Sequence, residues 1–442
     1  QQRLFGVHVK AFHDPGPPVA GVPPAFMRTL GRKAVHQALS LTSGPVHINL
    51  PFREPLAPDQ LPAPPASSPR DPMVERCTPV STNDLTRVIG LTAGTSGAIV
   101  CGPTAPDPGF APAVTDLARR LEAPIFADPL SGLRFGTHDK TRVVSRYDTF
   151  LRNAAPEGAH RPRWILHFGA TPVSKTLNEY VKDSGARTLL ISPQDRWQDS
   201  THRTEAIISS DSTLLCKALA EQGASLADSS PLLEELLARD RSIDRQCSEH
   251  SLPAEAFVIQ RILELIPTNS VLFCGNSLPI RQFDTWSGIG EKSLQTAGNR
   301  GVSGIDGNLS TLHGMSSAQA GTVIGLIGDQ AFFHDVGGLL LSREAPAIVI
   351  VFNNRGGRIF SQMPLARLPA FEKYWTAPVN LAIEQAARLY ECPFRRAACV
   401  EEFVSALTAL LESAEGGVLE VVIDPEESVA GHRDFVERSK AY

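Results

Sequence analysis

Asp329 and Asn354 are the residues whose types and spacing first point to chemistry. In "GDQAFFHDVGGLLLSREAPAIVIVFNNRGGRIF", residues 328–360, each closes an apolar run, "VIGLIGD" (323–329) and "AIVIVFNN" (347–354). Such runs read as buried parallel strands, and ligands gather beyond the carboxyl ends of strands in open α/β sheets. The helix between them is predicted to begin near Gln330–Ala331, so its first amides would face the same crevice, where an anion is favoured. A carboxylate there would repel a bare phosphate unless a cation lay between. Mg2+ fits, because it takes oxygen ligands and shares them with phosphates. Asp329 would give a carboxylate oxygen and Asn354 an amide oxygen. The Gly-rich turn at 355–357 would add a main-chain carbonyl, that of Gly356. Asp after a strand is also a common helix cap, and Asn pairs are common in turns. The two together, 25 positions apart across a strand–helix–strand unit, favour a metal–diphosphate clamp. A Walker loop and a GxGxxG are both absent, which disfavours nucleotide and dinucleotide binding.

The elements that must position this clamp alternate along the chain. Strand-like runs at 97–103, 124–129, 164–170 and 187–192 are interleaved with helical ones, and 205–250 reads as charged and helical. A second alternating block runs from "VLFCGNS" (271–277) to "GVLEVVID" (417–424). This is the pattern of parallel sheets flanked by helices. Before them come a predicted helix at 24–41, with Phe26, Leu30, Ala34 and Ala38 on one face, and a strand at 45–52. The Pro- and Ser-rich stretch 53–72 reads as a linker. A chain of 442 residues exceeds one core, so two or three domains are expected. The net charge of −5 argues against nucleic acid or an anionic membrane as partner, and no apolar run reaches membrane-spanning length. Seven scattered cysteines with no CxxC point to buried thiols in a reducing compartment.

Four further segments narrow the reading: "GPVHINLPFREPL" (44–56), "LFCGNSLPIR" (272–281), "NRGVSGIDG" (299–307) and "NNRGGRIFSQMP" (353–364). With the "GD…NN" signature of thiamin-diphosphate enzymes, they resemble the 2-succinyl-5-enolpyruvyl-6-hydroxy-3-cyclohexene-1-carboxylate (SEPHCHC) synthase family of menaquinone and phylloquinone biosynthesis. The resemblance is weakest in the middle of the chain. It implies an α/β thiamin-diphosphate-binding fold of three domains. These are the C-terminal part of a pyrimidine-binding domain at 1–66, a middle α/β domain at 85–215 and a diphosphate-binding domain at 250–430. It also implies a transferase that uses thiamin diphosphate with Mg2+ (or Mn2+). The reaction would decarboxylate 2-oxoglutarate and add the succinyl-semialdehyde carbanion to isochorismate. Active sites shared between subunits would make a homodimer or homotetramer, in the bacterial cytoplasm or in a plastid.

By the same resemblance, Asp329, Asn354 and the Gly356 carbonyl hold the metal, and Ile305 props the cofactor into a bent shape. Ser303, Gly328, Gln330, Ala331 and Ile359 belong to the same cofactor site. Arg281, Arg300, Ser277 and Asn276 form the candidate catalytic set, with Lys175, Phe360 and Met363 binding substrate. Arginine suits two dianionic substrates, since its fork matches a carboxylate. The chain departs from the family at Thr176, where Arg is frequent, and at Met363, where Leu is commoner. Lys175 reads equally as a surface group, and Ile305, Ile359 and Phe360 as core. His313 and His334 read as structural, and Asp306 and Asp335 as caps or turn residues.

Thiamin-diphosphate enzymes place an activating Glu early in the pyrimidine domain. The first Glu here is Glu54, in "PFREP", which matches the end of that domain. The activating Glu and further substrate residues are therefore expected upstream of Gln1. The alternatives left open are another 2-oxoacid enzyme, such as an acetolactate synthase, and a non-catalytic cofactor-binding relative.

Overall fold

Runs such as "VLFC", "VIGLIG" and "IVIVFN" are apolar on both faces, so they are stable only as inner strands covered by helices on either side. The computed structural model places them so. It describes residues 1–442 except 20, 41, 55, 58–77, 106, 154, 223–229, 250–251, 320, 379–380, 414 and 442. Most of the linker read at 53–72, and Cys77, lie outside the described residues.

Strands β1 (Ala11–His13) and β2 (Val46–Ile48) form a two-stranded parallel sheet around the helix Pro24–Leu39. The predicted strand 45–52 is thus three residues long. Of the four helix positions expected to pack, only Ala34 is buried, and Phe26 is 47% exposed.

The next strands are β3 (Ala98–Cys101), β4 (Ile125–Ala127), β5 (Val143–Val144), β6 (Trp164–Phe168), β7 (Arg187–Ile191) and β8 (Thr204–Ile208). They make a parallel sheet in the order β5-β4-β3-β6-β7-β8. The segment 205–250 is therefore not helical from its start: β8 comes first, and the helices Ser212–Glu221 and Pro231–Glu249 follow. "TEAII" is a short, half-exposed edge strand paired on one side only, so it carries no clear apolar period.

The last sheet holds β9 (Ser270–Cys274), β10 (Leu294–Ala297), β11 (Val323–Gly328), β12 (Ile348–Asn353), β13 (Phe394–Ala397) and β14 (Gly417–Val422). All pair in parallel, in the order β10-β9-β11-β12-β14-β13. The chain moves one way from β9 to β10 and then crosses back to β11. A switch point therefore lies between β9 and β11, where α/β sheets open a ligand crevice.

One buried cluster spans both large sheets. Phe135 packs on Phe283 with ring centroids 6.1 Å apart, and Trp286 meets Phe435 at 4.5 Å. Each such ring removed from water contributes on the order of 2–3 kcal/mol. Of the six described cysteines, only Cys399 is exposed. Among the described residues no helix is long and apolar enough to cross a membrane.

Candidate functional site

The carboxyl ends of β9, β11 and β12 surround a cavity lined by Asn276, Ser277, Ile305, Gly328, Asp329, Asn354 and Gly356, among others. Asp329 begins the helix Asp329–His334 and is 4% exposed. Its Oδ2 accepts the Gly356 N–H at 2.7 Å and its Oδ1 accepts the Gln330 N–H at 2.7 Å. The carboxylate thus joins the end of β11 to the turn after β12. Burial pushes its pKa up, opposed by the N–H donors of Gly356 and Gln330 and by the Arg358 charge. Arg358 itself pairs with Glu372 at 2.7 Å.

Asn354 is buried beside it, and its main-chain carbonyl accepts from Arg358 Nε at 3.3 Å. Gly356 has φ +121°, and a Cβ there would stand 2.4 Å from the Thr376 carbonyl, so only glycine makes this turn. A Cβ on Gly328 would meet nothing within 4 Å, which leaves room for a ligand against the backbone. Gln330 turns its amide away, donating to the carbonyls of Thr376 at 3.2 Å and Ala377 at 2.7 Å, and Ala331 is buried beneath.

Among the described residues there is no cluster of three His, Cys, Asp or Glu. A cation at Asp329 would take one carboxylate and complete its shell with amide, main-chain and diphosphate oxygens. That donor set is made of hard oxygens, which suits Mg2+.

The opposite wall begins at Gly275. Asn276 is 2% exposed. Its Nδ2 donates to the carbonyls of Asn299 at 2.9 Å and Gly304 at 2.8 Å, and its Oδ1 accepts from Arg300 Nη1 at 2.7 Å. With both donors spent on main chain, Asn276 braces the 299–304 loop. Ser277 has φ +72° and ψ −128°, and its hydroxyl caps no helix N–H. A non-glycine residue held there stores on the order of 1–3 kcal/mol, and such strain concentrates at functional sites.

Arg281 Nη1 donates to the Ser277 carbonyl at 2.7 Å. Burial lowers the pKa of Arg281, and the Arg300 charge lowers it further, with Asp148 and Asp284 opposing. Burial likewise lowers Arg300, opposed by Asp128. The two guanidiniums thus stand behind the same wall of the cavity, Arg281 on the Ser277 carbonyl and Arg300 on Asn276 Oδ1.

The remaining expected residues fall into three groups. Ile305 lines the cavity and packs on the core around β11, while Ser303 is exposed at φ +63°. Ile359 and Phe360 are half-buried, Phe360 against Trp375 at 5.4 Å, and Met363 is 47% exposed. Lys175 lies outside the cavity, with its side chain 84% exposed and paired to Glu179 at 3.4 Å. His313 Nδ1 bonds the Ala345 carbonyl at 2.7 Å, and Asp335 accepts the Ser310 N–H at 2.6 Å. Gln282, Phe352 and Arg358 line the cavity without having been foreseen. Phe352, inside "AIVIVFNN", and Arg358, inside "NNRGGRIF", were within reach of the motifs.

The chain is 38% identical over 396 residues to the 2-succinyl-5-enolpyruvyl-6-hydroxy-3-cyclohexene-1-carboxylate synthase of Dechloromonas aromatica (strain RCB), covering 88% of this chain and 71% of that protein. It belongs to the SEPHCHC synthase family. The similarly named protein of Geobacillus kaustophilus (strain HTA426) is 36% identical over 446 residues, covering 98% and 77%. That of Halobacterium salinarum (strain ATCC 700922 / JCM 11081 / NRC-1) is 34% identical over 459 residues, again covering 98% and 77%. No protein-family model matches the chain. The resemblance carried by "GNSLPIR", "NRGVSGIDG" and "NNRGG" is thereby borne out, and SEPHCHC synthases are thiamin-diphosphate-dependent enzymes.

Proposed function

We propose that the chain is a transferase that decarboxylates 2-oxoglutarate and adds the remaining four-carbon unit to isochorismate, giving SEPHCHC in menaquinone or phylloquinone biosynthesis. The observation that carries this reading is that Arg281 bonds the Ser277 carbonyl and Arg300 the Asn276 Oδ1, two residues that line the Asp329–Asn354 crevice. A pyruvate-type substrate has one carboxylate and needs fewer cations. Two dianionic substrates need the forked donors that arginine provides.

Asp329, Asn354 and the Gly356 carbonyl would hold Mg2+ or Mn2+, with Gly328 leaving space for the diphosphate. Bound thiamin diphosphate supplies the electron sink for loss of CO2 and the nucleophilic carbon for the new bond. Ile305 would support the cofactor from the core around β11, and Ile359, Phe360 and Met363 would form an apolar wall over the substrates. The strained Ser277 places an uncommitted hydroxyl at the cavity edge, available to orient a substrate carboxylate. Asn276 acts through Arg300, holding its guanidinium and the loop that carries it.

The division into segments 1–66, 85–215 and 250–430 goes with this reading, as does an active site shared between subunits. Exposed apolar side chains at Phe5, Val7 and Phe52 support contact with a second copy, in a dimer or tetramer. Five buried free thiols support a reducing compartment such as the cytoplasm.

The test is CO2 release from 2-oxoglutarate by the full-length protein. Release that depends on thiamin diphosphate, Mg2+ and isochorismate is expected. Equal turnover of pyruvate, or indifference to isochorismate, would overturn the substrate assignment.

A further inference from the structure

We propose that Arg134, which lines no part of the cavity, is a positioning residue that fixes Arg281 and Arg300 relative to one another. Arg134 stands in the loop after β4 and is 1% exposed. Its Nε donates to the Ala127 carbonyl at 2.8 Å, and its Nη1 to the Asp284 carbonyl at 2.7 Å and to Ser287 Oγ at 3.1 Å. Its Nη2 donates to Tyr147 Oη at 3.1 Å and to the Asp284 carboxylate. All five guanidinium N–H groups are thus engaged, and three of them hold the end of the helix Leu278–Trp286.

That helix carries Arg281 one turn before Asp284, so a grip at Asp284 sets where Arg281 stands. Arg146 Nη1 adds a second hold at the Thr285 carbonyl, 2.8 Å away. The main chain is stitched in the same place. The Gly290 N–H donates to the Arg134 carbonyl at 2.9 Å, and the Gly136 N–H to the Gly290 carbonyl at 3.2 Å.

The same loop also holds the element that leads to Arg300. The Thr296 hydroxyl, on β10, donates to the Pro129 carbonyl at 2.6 Å. Gly298, two residues before Arg300, packs closely on Leu130: a Cβ there would lie 3.3 Å from Leu130 Cδ1. One rigid segment, residues 128–136, therefore templates both cationic elements. The middle sheet contributes to substrate recognition through this loop without lining the cavity.

The inference rests on Arg281 and Arg300 as carboxylate holders, so the test must separate the two. The probes are glutarate, which has both carboxylates but no keto carbon, and thiamin diphosphate with Mg2+. Their equilibrium binding is measured by calorimetry on the full-length protein. The variants are Arg281→Met, Arg134→Lys, and the double change Arg134→Met with Asp284→Leu, which removes the buried pair together and leaves Asp128 facing Arg300. Arg281→Met and both Arg134 variants should weaken glutarate about tenfold or more, since small misplacements of binding groups are costly. Thiamin diphosphate binding should stay within about twofold in all of them, because Asp329 and Asn354 are held from β11 and β12.

If Arg281→Met weakens glutarate and the Arg134 variants do not, the positioning role is overturned. Equal weakening of both ligands in the Arg134 variants overturns it as well, since that is general loosening. Unchanged glutarate binding in Arg281→Met overturns the carboxylate reading and this inference with it. Should the double variant fail to fold, Arg134→Lys, which keeps the buried charge and loses the fork, decides.

Discussion

The Asp329 carboxylate accepts the Gly356 N–H at 2.7 Å and so fixes the distance between two candidate metal ligands. Gly356 reaches that position with φ +121° and no room for a Cβ. Gly356→Ala should therefore destabilise the fold by about 2–4 kcal/mol, combining backbone strain with a clash against the Thr376 carbonyl. Urea denaturation measures this, and a variant as stable as the parent would refute the turn geometry.

Asn276 holds two carbonyls of the 299–304 loop and the Arg300 guanidinium. Asn276→Ala would leave these half-buried groups unpaired within the protein, at a cost of about 1–2 kcal/mol. Faster amide exchange across residues 299–304 should accompany the loss. Stability loss without any change in exchange there would remove the bracing role.

Lys292 Nζ donates to the carbonyls of Leu263 at 3.0 Å, Glu264 at 2.5 Å and Ile266 at 2.9 Å, which end the helix Ala254–Leu265. A cation at a helix C-terminus both bonds the orphan carbonyls and complements the dipole. Lys292→Met keeps the stem and removes the charge, so a loss of about 1–2 kcal/mol is expected from thermal unfolding. No loss would mean that water serves those carbonyls as well.

Burial pushes the His432 imidazole down to about 4, helped by the Arg152 charge and opposed by Asp148. The unfolded ring titrates near 6.5. Between these values the unfolded chain binds a proton that the fold does not. The stability from a neutral His432 is thus present above pH 6.5 and lost as pH falls towards 4, by up to about 3 kcal/mol. His432→Phe keeps a ring against Trp286 and removes the titration. Its stability should fall less steeply over this window; an unchanged slope would assign the acid loss elsewhere.

The inner strands β9, β11, β12 and β14 were legible because strands buried on both faces must be apolar throughout. β8, β10 and β13 were not, since edge strands pair on one side and mix polar with apolar residues. The helix 24–41 was read as amphipathic, yet Phe26, Met27, Val35 and Leu39 stay exposed, because local periodicity does not say what will cover them. In the site, Asp329, Asn354 and Gly356 converge as their spacing required. Asn276 entered the candidate catalytic set by resemblance, and only the geometry shows its donors on the Asn299 and Gly304 carbonyls. Arg134 left no local signal: its partner Asp284 is 150 positions away, and a lone Arg in sequence reads as surface.

The most direct measurement is a calorimetric titration of the full-length protein with thiamin diphosphate, with Mg2+ and then with a chelator, in the parent and in Asp329→Ala. The account predicts tight binding that requires the metal in the parent, and loss of that binding in a variant that remains folded by circular dichroism. Equally tight, metal-dependent binding in Asp329→Ala would contradict the clamp on which the account is built.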